Sequence, residues 1–285
     1  MTTALRFIKP INMAPIAHVW RAGELGAACA QTIATGYDDL SRVLPGGGWP
    51  CGAMTEVLQS QPGQYEWGLI APAIGALQAA APEGSLHKWA DKWVVLVGAP
   101  YCPFGPALGA RQLNMQRLLN IHVEKSDNPA MLWATREALQ CADVAAVLAW
   151  LPDARSAHLR RLQIAALTHN RLLFVFRPLQ AQNESSPAPL RLRLAGVPQI
   201  AQVPYSPGAT AYNLQIDVFK RRGPPLAAPV LIDTRPARLA ALLAASRERS
   251  HQHLPQPEPA PALFDMSGIL RKPLYALDRT ASLEY

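Results

Sequence analysis

Residues 35–66 read Thr35-Gly36-Tyr37-Asp38-Asp39-Leu40-Ser41-Arg42-Val43-Leu44-Pro45-Gly46-Gly47-Gly48-Trp49-Pro50-Cys51-Gly52-Ala53-Met54-Thr55-Glu56-Val57-Leu58-Gln59-Ser60-Gln61-Pro62-Gly63-Gln64-Tyr65-Glu66. Pro45 and three successive glycines make a turn. After Gly52 comes a short apolar run, residues 53–58, bounded by a Gln/Ser/Pro/Gly loop, which predicts a buried strand. Residues 67–81 follow as a helix. Leu69, Ala73, Ala76, Leu77 and Ala80 share one stripe, and Pro82 with Gly84 ends it. Strand, Gly-containing loop and helix in that order open an α/β unit.

Outward from this unit the alternation continues. Continuous apolar strands are predicted at 93–97, 144–150 and 172–176, with a short one at 121–123. Helices are predicted at 108–119, at 128–140 with Pro129 in the first turn, and at 154–168. Strands apolar on both faces, separated by helices, predict a mostly parallel sheet covered on both sides. From Leu190 the period changes to two. Leu190-Arg191-Leu192-Arg193-Leu194 and residues 213–219 alternate, as half-exposed antiparallel strands at a sheet edge do. Residues 177–189 are expected as a loop and 236–249 as a helix. The domain reading is an N-terminal extension over 1–34, a core over 35–250 and a Pro-rich flexible tail over 251–285.

The 285 residues suit one α/β domain with extensions, and 49% apolar content suffices for its core. Cys29, Cys51, Cys102 and Cys141 form no C-x-x-C pair, so reduced thiols in a cytosol are expected rather than zinc or disulfides. The seven histidines are scattered, and His251-x-His253 lacks further ligands nearby, so no metal is expected. Neither a signal-peptide core nor a run of about 20 apolar residues is present, which predicts a soluble, cytoplasmic chain with no membrane partner. The net charge of +7 is uneven. Residues 1–190 hold 15 Lys/Arg and 13 Asp/Glu; residues 191–285 hold 12 and 7. This basic half makes Lys220, Arg221, Arg222, Arg235, Arg238, Arg247 and Arg249 candidates for weak, non-specific DNA contact, although no readout motif is visible.

The T-G-x-x-x-L, G-G and P-x-G-x-x-x-E pattern of residues 35–56 resembles the entry to the ATPase core of the RecA superfamily. Further motifs narrow the resemblance: W-R-x-x-E-L (Trp20–Leu25), L-P-G-G-G-W-P-x-G-A-x-T-E (Leu44–Glu56), A-V-L-A-W-L-P (Ala146–Pro152), L-R-R-L-Q (Leu159–Gln163), F-x-F-R-P (Phe174–Pro178), L-R-L-R-L (Leu190–Leu194) and K-R-R-G-P (Lys220–Pro224). In that order they resemble the ImuA family, RecA/SulA-like accessory proteins of bacterial mutasome operons. The resemblance implies a three-layer RecA-like core. It also implies a Walker A loop, which needs glycines to wrap phosphate, a Lys for the β/γ-phosphates and a Ser/Thr for Mg²⁺. The corresponding residues are Gln59, Gly63, Gln64, Tyr65 and Glu66, with Tyr65 in the place of the Lys and Glu66 in the place of the Ser/Thr. The Walker B strand ends in Trp150 rather than Asp, and no acid follows residues 93–97 where the family carries its catalytic Glu.

A pseudo-ATPase without cofactor is therefore expected. The resemblance implies a non-catalytic adaptor of DNA-damage-induced translesion synthesis, nucleoid-associated when DNA is damaged. Its implied partners are an ImuB-like Y-family polymerase homologue, RecA, an error-prone C-family DNA polymerase, and DNA. Candidate partner contacts are Trp49, set between Gly48 and Pro50, and the apolar tail residues Leu263, Phe264 and Leu270. The alternatives are a SulA-type cell-division inhibitor, which is a markedly shorter family, an ATPase with an atypical nucleotide site, and a plain DNA-binding module.

Overall fold

In chain order the elements are β1 (Thr32–Ile33), α1 (Asp38–Val43), β2 (Trp49–Pro50), β3 (Ala53–Gln59), α2 (Glu66–Gln78), β4 (Trp93–Val97), α3 (Gly105–Gly109), β5 (Leu118–Ile121), α4 (Asn128–Gln140), β6 (Val144–Trp150), α5 (Ser156–His169), β7 (Leu172–Pro178), β8 (Leu190–Gly196), β9 (Leu214–Lys220) and β10 (Val230–Ile232). The computed structural model describes residues 31–79, 89, 91–124, 127–197, 213–236 and, beyond them, 239, 241, 242, 245 and 249. The chain divides into two units, residues 1–236 and 237–285. In the second, the described residues Leu239, Ala241, Leu242, Ala245 and Arg249 are helical.

The first unit is mixed α/β. Its eight-stranded sheet runs β10-β9-β8-β3-β7-β6-β4-β5. The pairs from β8 through β5 are all parallel, and β9 and β10 add antiparallel pairs. The continuous apolar runs occupy the middle, where both faces are covered. On one face Leu40 of α1 and Leu69, Ile70, Ile74 and Leu77 of α2 pack with Val57, Leu96 and Phe174. On the other, Met131 and Leu139 of α4 and Leu159 and Leu162 of α5 pack with Val95, Val147 and Val175. The chain steps outward from β3 to β4 by way of α2, and returns through α4 and α5 on the opposite face. Helices on opposite faces for the outward and return steps give the crossovers one hand, as parallel βαβ connections require. Neighbouring β4 and β6 therefore send their C-terminal loops to opposite faces, which opens a crevice at the strand ends.

Four expectations are corrected. No helix covers 108–119: α3 ends at Gly109, Gln112 adopts a left-handed φ of 66°, and a 3₁₀ turn at Met115–Arg117 leads into β5. The Asn114 side chain accepts from Gln116 N, and the Gln78 amide bonds the main chain of Asn114 from α2. These side chains give the backbone partners that a helix would otherwise supply. The short strand accordingly starts at Leu118, paired with Val94 of β4, rather than at Ile121. Residues 177–189 are not all loop, since Leu179–Asn183 form a 3₁₀ turn. Strand β8 is not a half-exposed antiparallel edge: it pairs parallel to β3 on one side and antiparallel to β9 on the other, and Arg191 is buried.

Candidate functional site

The loop between β3 and α2 is closed around a carboxylate of its own. Glu66 is the first residue of α2 and is 1% exposed. Its Oε1 accepts from Gln59 Nε2 at 2.5 Å, from the backbone N–H of Gly63 at 2.6 Å and from the indole N–H of Trp150 at 3.0 Å. Its Oε2 accepts from the backbone N–H of Tyr65 at 3.0 Å. Main-chain N–H groups ahead of a helix N-terminus make an anion site, and the helix dipole favours negative charge there. Here the anion is a side chain of the same chain. Gly63 has φ 91°, and a Cβ at this position would meet the Tyr101 ring at 2.6 Å, so the loop in this shape requires glycine.

Tyr65 is the residue that the resemblance sets in the place of a Lys. It packs against the core, and its hydroxyl lies against Gly196 at the end of β8. Trp150 ends β6 with its indole committed to Glu66 and its ring stacked on Phe176, centroids 4.7 Å apart. Gln64 is exposed and donates to Gln61.

Beside this loop lies a crevice of about 210 Å³ at the C-terminal ends of β3, β4, β6 and β7. Pro62, Pro100, Met131, Trp150 and Phe176 give it an apolar lining, and Gln59, Ser60 and Arg177 are its polar members. Gln59 Oε1 and Arg177 Nε are buried polar atoms without a hydrogen-bond partner. The rest of the Arg177 guanidinium is engaged: Nη1 holds Glu56 at 3.0 Å and Nη2 holds Glu184 at 2.7 Å. The crevice can take an uncharged, largely apolar group.

Beneath it, three motifs that are distant in sequence meet. Glu56 of the P-x-G-x-x-x-E stretch is fully buried between Arg177 of F-x-F-R-P and Arg191 of L-R-L-R-L. Arg191 Nε donates to Glu56 at 2.6 Å and its Nη2 to Ala181 O at 2.7 Å, and its guanidinium lies over the Phe219 ring. These pairings satisfy charges that would otherwise be prohibitive at such depth.

The other candidate residues fall elsewhere. Trp49 is not an exposed partner contact. It is 0% exposed, lies in β2 paired with β1, and packs edge-on against Phe174 with centroids 5.2 Å apart. A ring of that size flanking a Gly-rich turn is buried by the β1–β2 ladder, which local sequence does not reveal. Lys220 donates to Ser186 O, and Arg221 ties to Pro224 O and Val43 O, so both are partly engaged within the fold. Arg222 is exposed, Arg235 is paired with Asp233, and Arg249 is exposed on its helix. Arg238, Arg247, Leu263, Phe264 and Leu270 lie outside the described residues. No group of three His, Cys, Asp or Glu residues able to hold a metal ion occurs among the described residues. No helix among them is long and apolar enough to cross a membrane. Sequence reasoning missed the crevice and the Glu56–Arg177–Arg191 cluster. The available signal for the cluster was three charged residues inside otherwise apolar strands.

No protein-family model matches this chain, and no curated protein matches it.

Proposed function

We propose that the protein has a RecA-like core whose phosphate-binding loop is closed by Glu66, and that it acts as a non-catalytic adaptor in DNA-damage-induced translesion synthesis. One observation supports the first half above all: the Glu66 carboxylate occupies the N–H groups of Gly63 and Tyr65 that a phosphate would need. A phosphate brought alongside would face a like charge. Two unit charges about 4 Å apart repel by about 4 kcal/mol at an effective dielectric of about 20. Neither Tyr65 nor Trp150 supplies the cation or the metal-ordering carboxylate to offset this. Binding without hydrolysis is the role left to such a core. The motif order from Trp20 to Pro224 directs that role to the mutasome, with an ImuB-like Y-family homologue as principal partner, and RecA, a C-family polymerase and DNA as further ones.

Two measurements test the reading. Isothermal titration with Mg-ATP should give no binding in the micromolar range, and such binding abolished by substitution within 59–66 would overturn the closed-loop half. Co-expression with the ImuB-like protein of the same genome should yield a stable complex. Its absence, together with unchanged damage-induced mutation frequency in a deletion strain, would overturn the adaptor half.

A further inference from the structure

Helices α4 and α5 lie side by side on one face of the sheet, and each presents an apolar stripe inward: Met131, Ala134, Ala138 and Leu139 on α4, Leu159, Leu162 and Ala166 on α5. Their outward side is also apolar in part. Trp133 is 65% exposed, Ile164 57% and Leu167 66%. Trp133 borders a hollow between the helices and Ile164 one along α5, and apolar side chains rimmed by polar ones mark contact surfaces. The surface is concave. A hollow of about 320 Å³ runs between the helices, lined by Leu132, Trp133 and Arg136 on one side and His158, Arg161 and Leu162 on the other. Arg161 also borders a second hollow, of about 440 Å³, that continues along α5 to Arg160 and Ile164.

Arginine outnumbers acid on this face. Arg136, Arg160 and Arg161 are exposed, and none lies within ion-pair distance of a carboxylate among the described residues. Residues 156–169 contain no acid, and α4 contains only Glu137. At the near ends of the helices, Asp127 caps α4 by accepting from Ala130 N, and Asp153 sits on the turn before α5. Tryptophan and arginine together, over a desolvated aliphatic floor, are the composition of interface hot spots.

We propose that the α4/α5 groove docks an acidic amphipathic segment of a protein partner. Its apolar residues seat against Leu132, Trp133 and Leu162, and its carboxylates meet Arg136 and Arg161. A single-stranded nucleic acid fits less well. Bases stack on open aromatic platforms along a continuous cationic track, whereas this groove is concave with an aliphatic floor. The proposal is independent of the nucleotide-loop reading above.

Fluorescence anisotropy on the full chain tests it with defined probes. The first is a labelled amphipathic peptide of about 18 residues with Leu at helical spacing and Glu elsewhere. The second is the same peptide with Lys for Glu, and the third is an oligo-dT of about 20 nucleotides. The acidic peptide should bind at low salt with a dissociation constant of tens of micromolar, and the Lys peptide should not. Trp133→Ala and the pair Arg136→Glu/Arg161→Glu should each weaken binding at least about ten-fold, while Arg42→Glu, beyond the other face of the sheet, leaves it unchanged. All these side chains are exposed, so melting temperatures should stay near the parent value. No binding of the acidic peptide overturns the proposal, as does binding insensitive to Trp133→Ala. A Trp133-dependent affinity for oligo-dT alone would assign the face to nucleic acid instead.

Discussion

Replacing Glu66 by Ala should destabilise the protein measurably, and added carboxylate should partly reverse the loss. The side chain accepts four hydrogen bonds, from Gln59, Gly63, Tyr65 and Trp150. The two main-chain donors lie in a part-buried loop and can turn to water once the carboxylate is gone. The Gln59 amide and the Trp150 indole belong to residues 2% and 6% exposed, and they cannot do so cheaply. Each buried donor left without a partner costs about 1–3 kcal/mol. Removing a buried charge also removes its desolvation cost, which keeps the net near the low end, about 2–3 kcal/mol. For a body of this size that corresponds to a melting temperature lower by roughly 5–10 °C. The vacated anion site should then accept a small carboxylate. If acetate binds it with a dissociation constant of about 10 mM, about 100 mM acetate restores about 1.4 kcal/mol. Circular dichroism melts of parent, Glu66→Ala and Glu66→Gln, in matched acetate and chloride, read this out. Glu66→Gln should fall between the other two, because its amide nitrogen would face the Tyr65 N–H. A Glu66→Ala protein melting within about 1 °C of the parent, or acetate stabilising both equally, would refute the account of Glu66 as a built-in anion.

Glu56→Ala should cost about 3–5 kcal/mol in urea unfolding by leaving Arg177 and Arg191 buried without their carboxylate, while Glu56→Leu/Arg177→Met/Arg191→Leu should recover most of it. A single variant as stable as the parent would show that water already satisfies these arginines. Burial raises the Cys51 thiol from 9.0 and the Tyr37 hydroxyl from 10.0, each to about 12, the latter while it donates to Gly68 O at 2.5 Å. Both groups stay neutral longer in the folded chain, so their contribution is complete below about pH 9 and is lost as pH rises from there toward 12. Urea midpoints should fall across that window and fall less in Cys51→Ala/Tyr37→Phe. The same burial should leave Cys51 unlabelled by a thiol reagent at pH 8 while the exposed Cys102 and Cys141 react; equal labelling of all three would contradict it. Lys220→Glu/Arg222→Glu should weaken DNA binding and flatten its salt dependence. Filter binding over a range of salt measures this, and an unchanged slope would make these residues merely solubilising.

The sequence by itself determined the layered α/β architecture. The runs at 93–97, 144–150 and 172–176 are apolar at every position, and only a sheet covered on both faces places such strands. The helix at 128–140 was legible from its Pro129 start and its apolar period. The absence of a Lys at position 65 and of an acid at position 150 needed no coordinates either. Tertiary structure decided what the charged and aromatic residues do. Alternation in 190–194 suggests that Arg191 faces water, since periodicity reports only which side of a strand a residue is on. It faces Glu56, 135 positions away, because β8 docks beside β3. Trp49 reads as a candidate partner contact on a turn until Thr32–Ile33 pair with Trp49–Pro50 and Phe174 closes against it. Glu66 reads as a charge aimed at an incoming phosphate. The fold turns it inward, because Trp150 arrives from a strand 84 positions later with the hydrogen bond that helps hold it. Local pattern marks which stretches are apolar enough to be buried. Which buried charges find partners depends on contacts between distant strands, and a one-dimensional period carries no information about those.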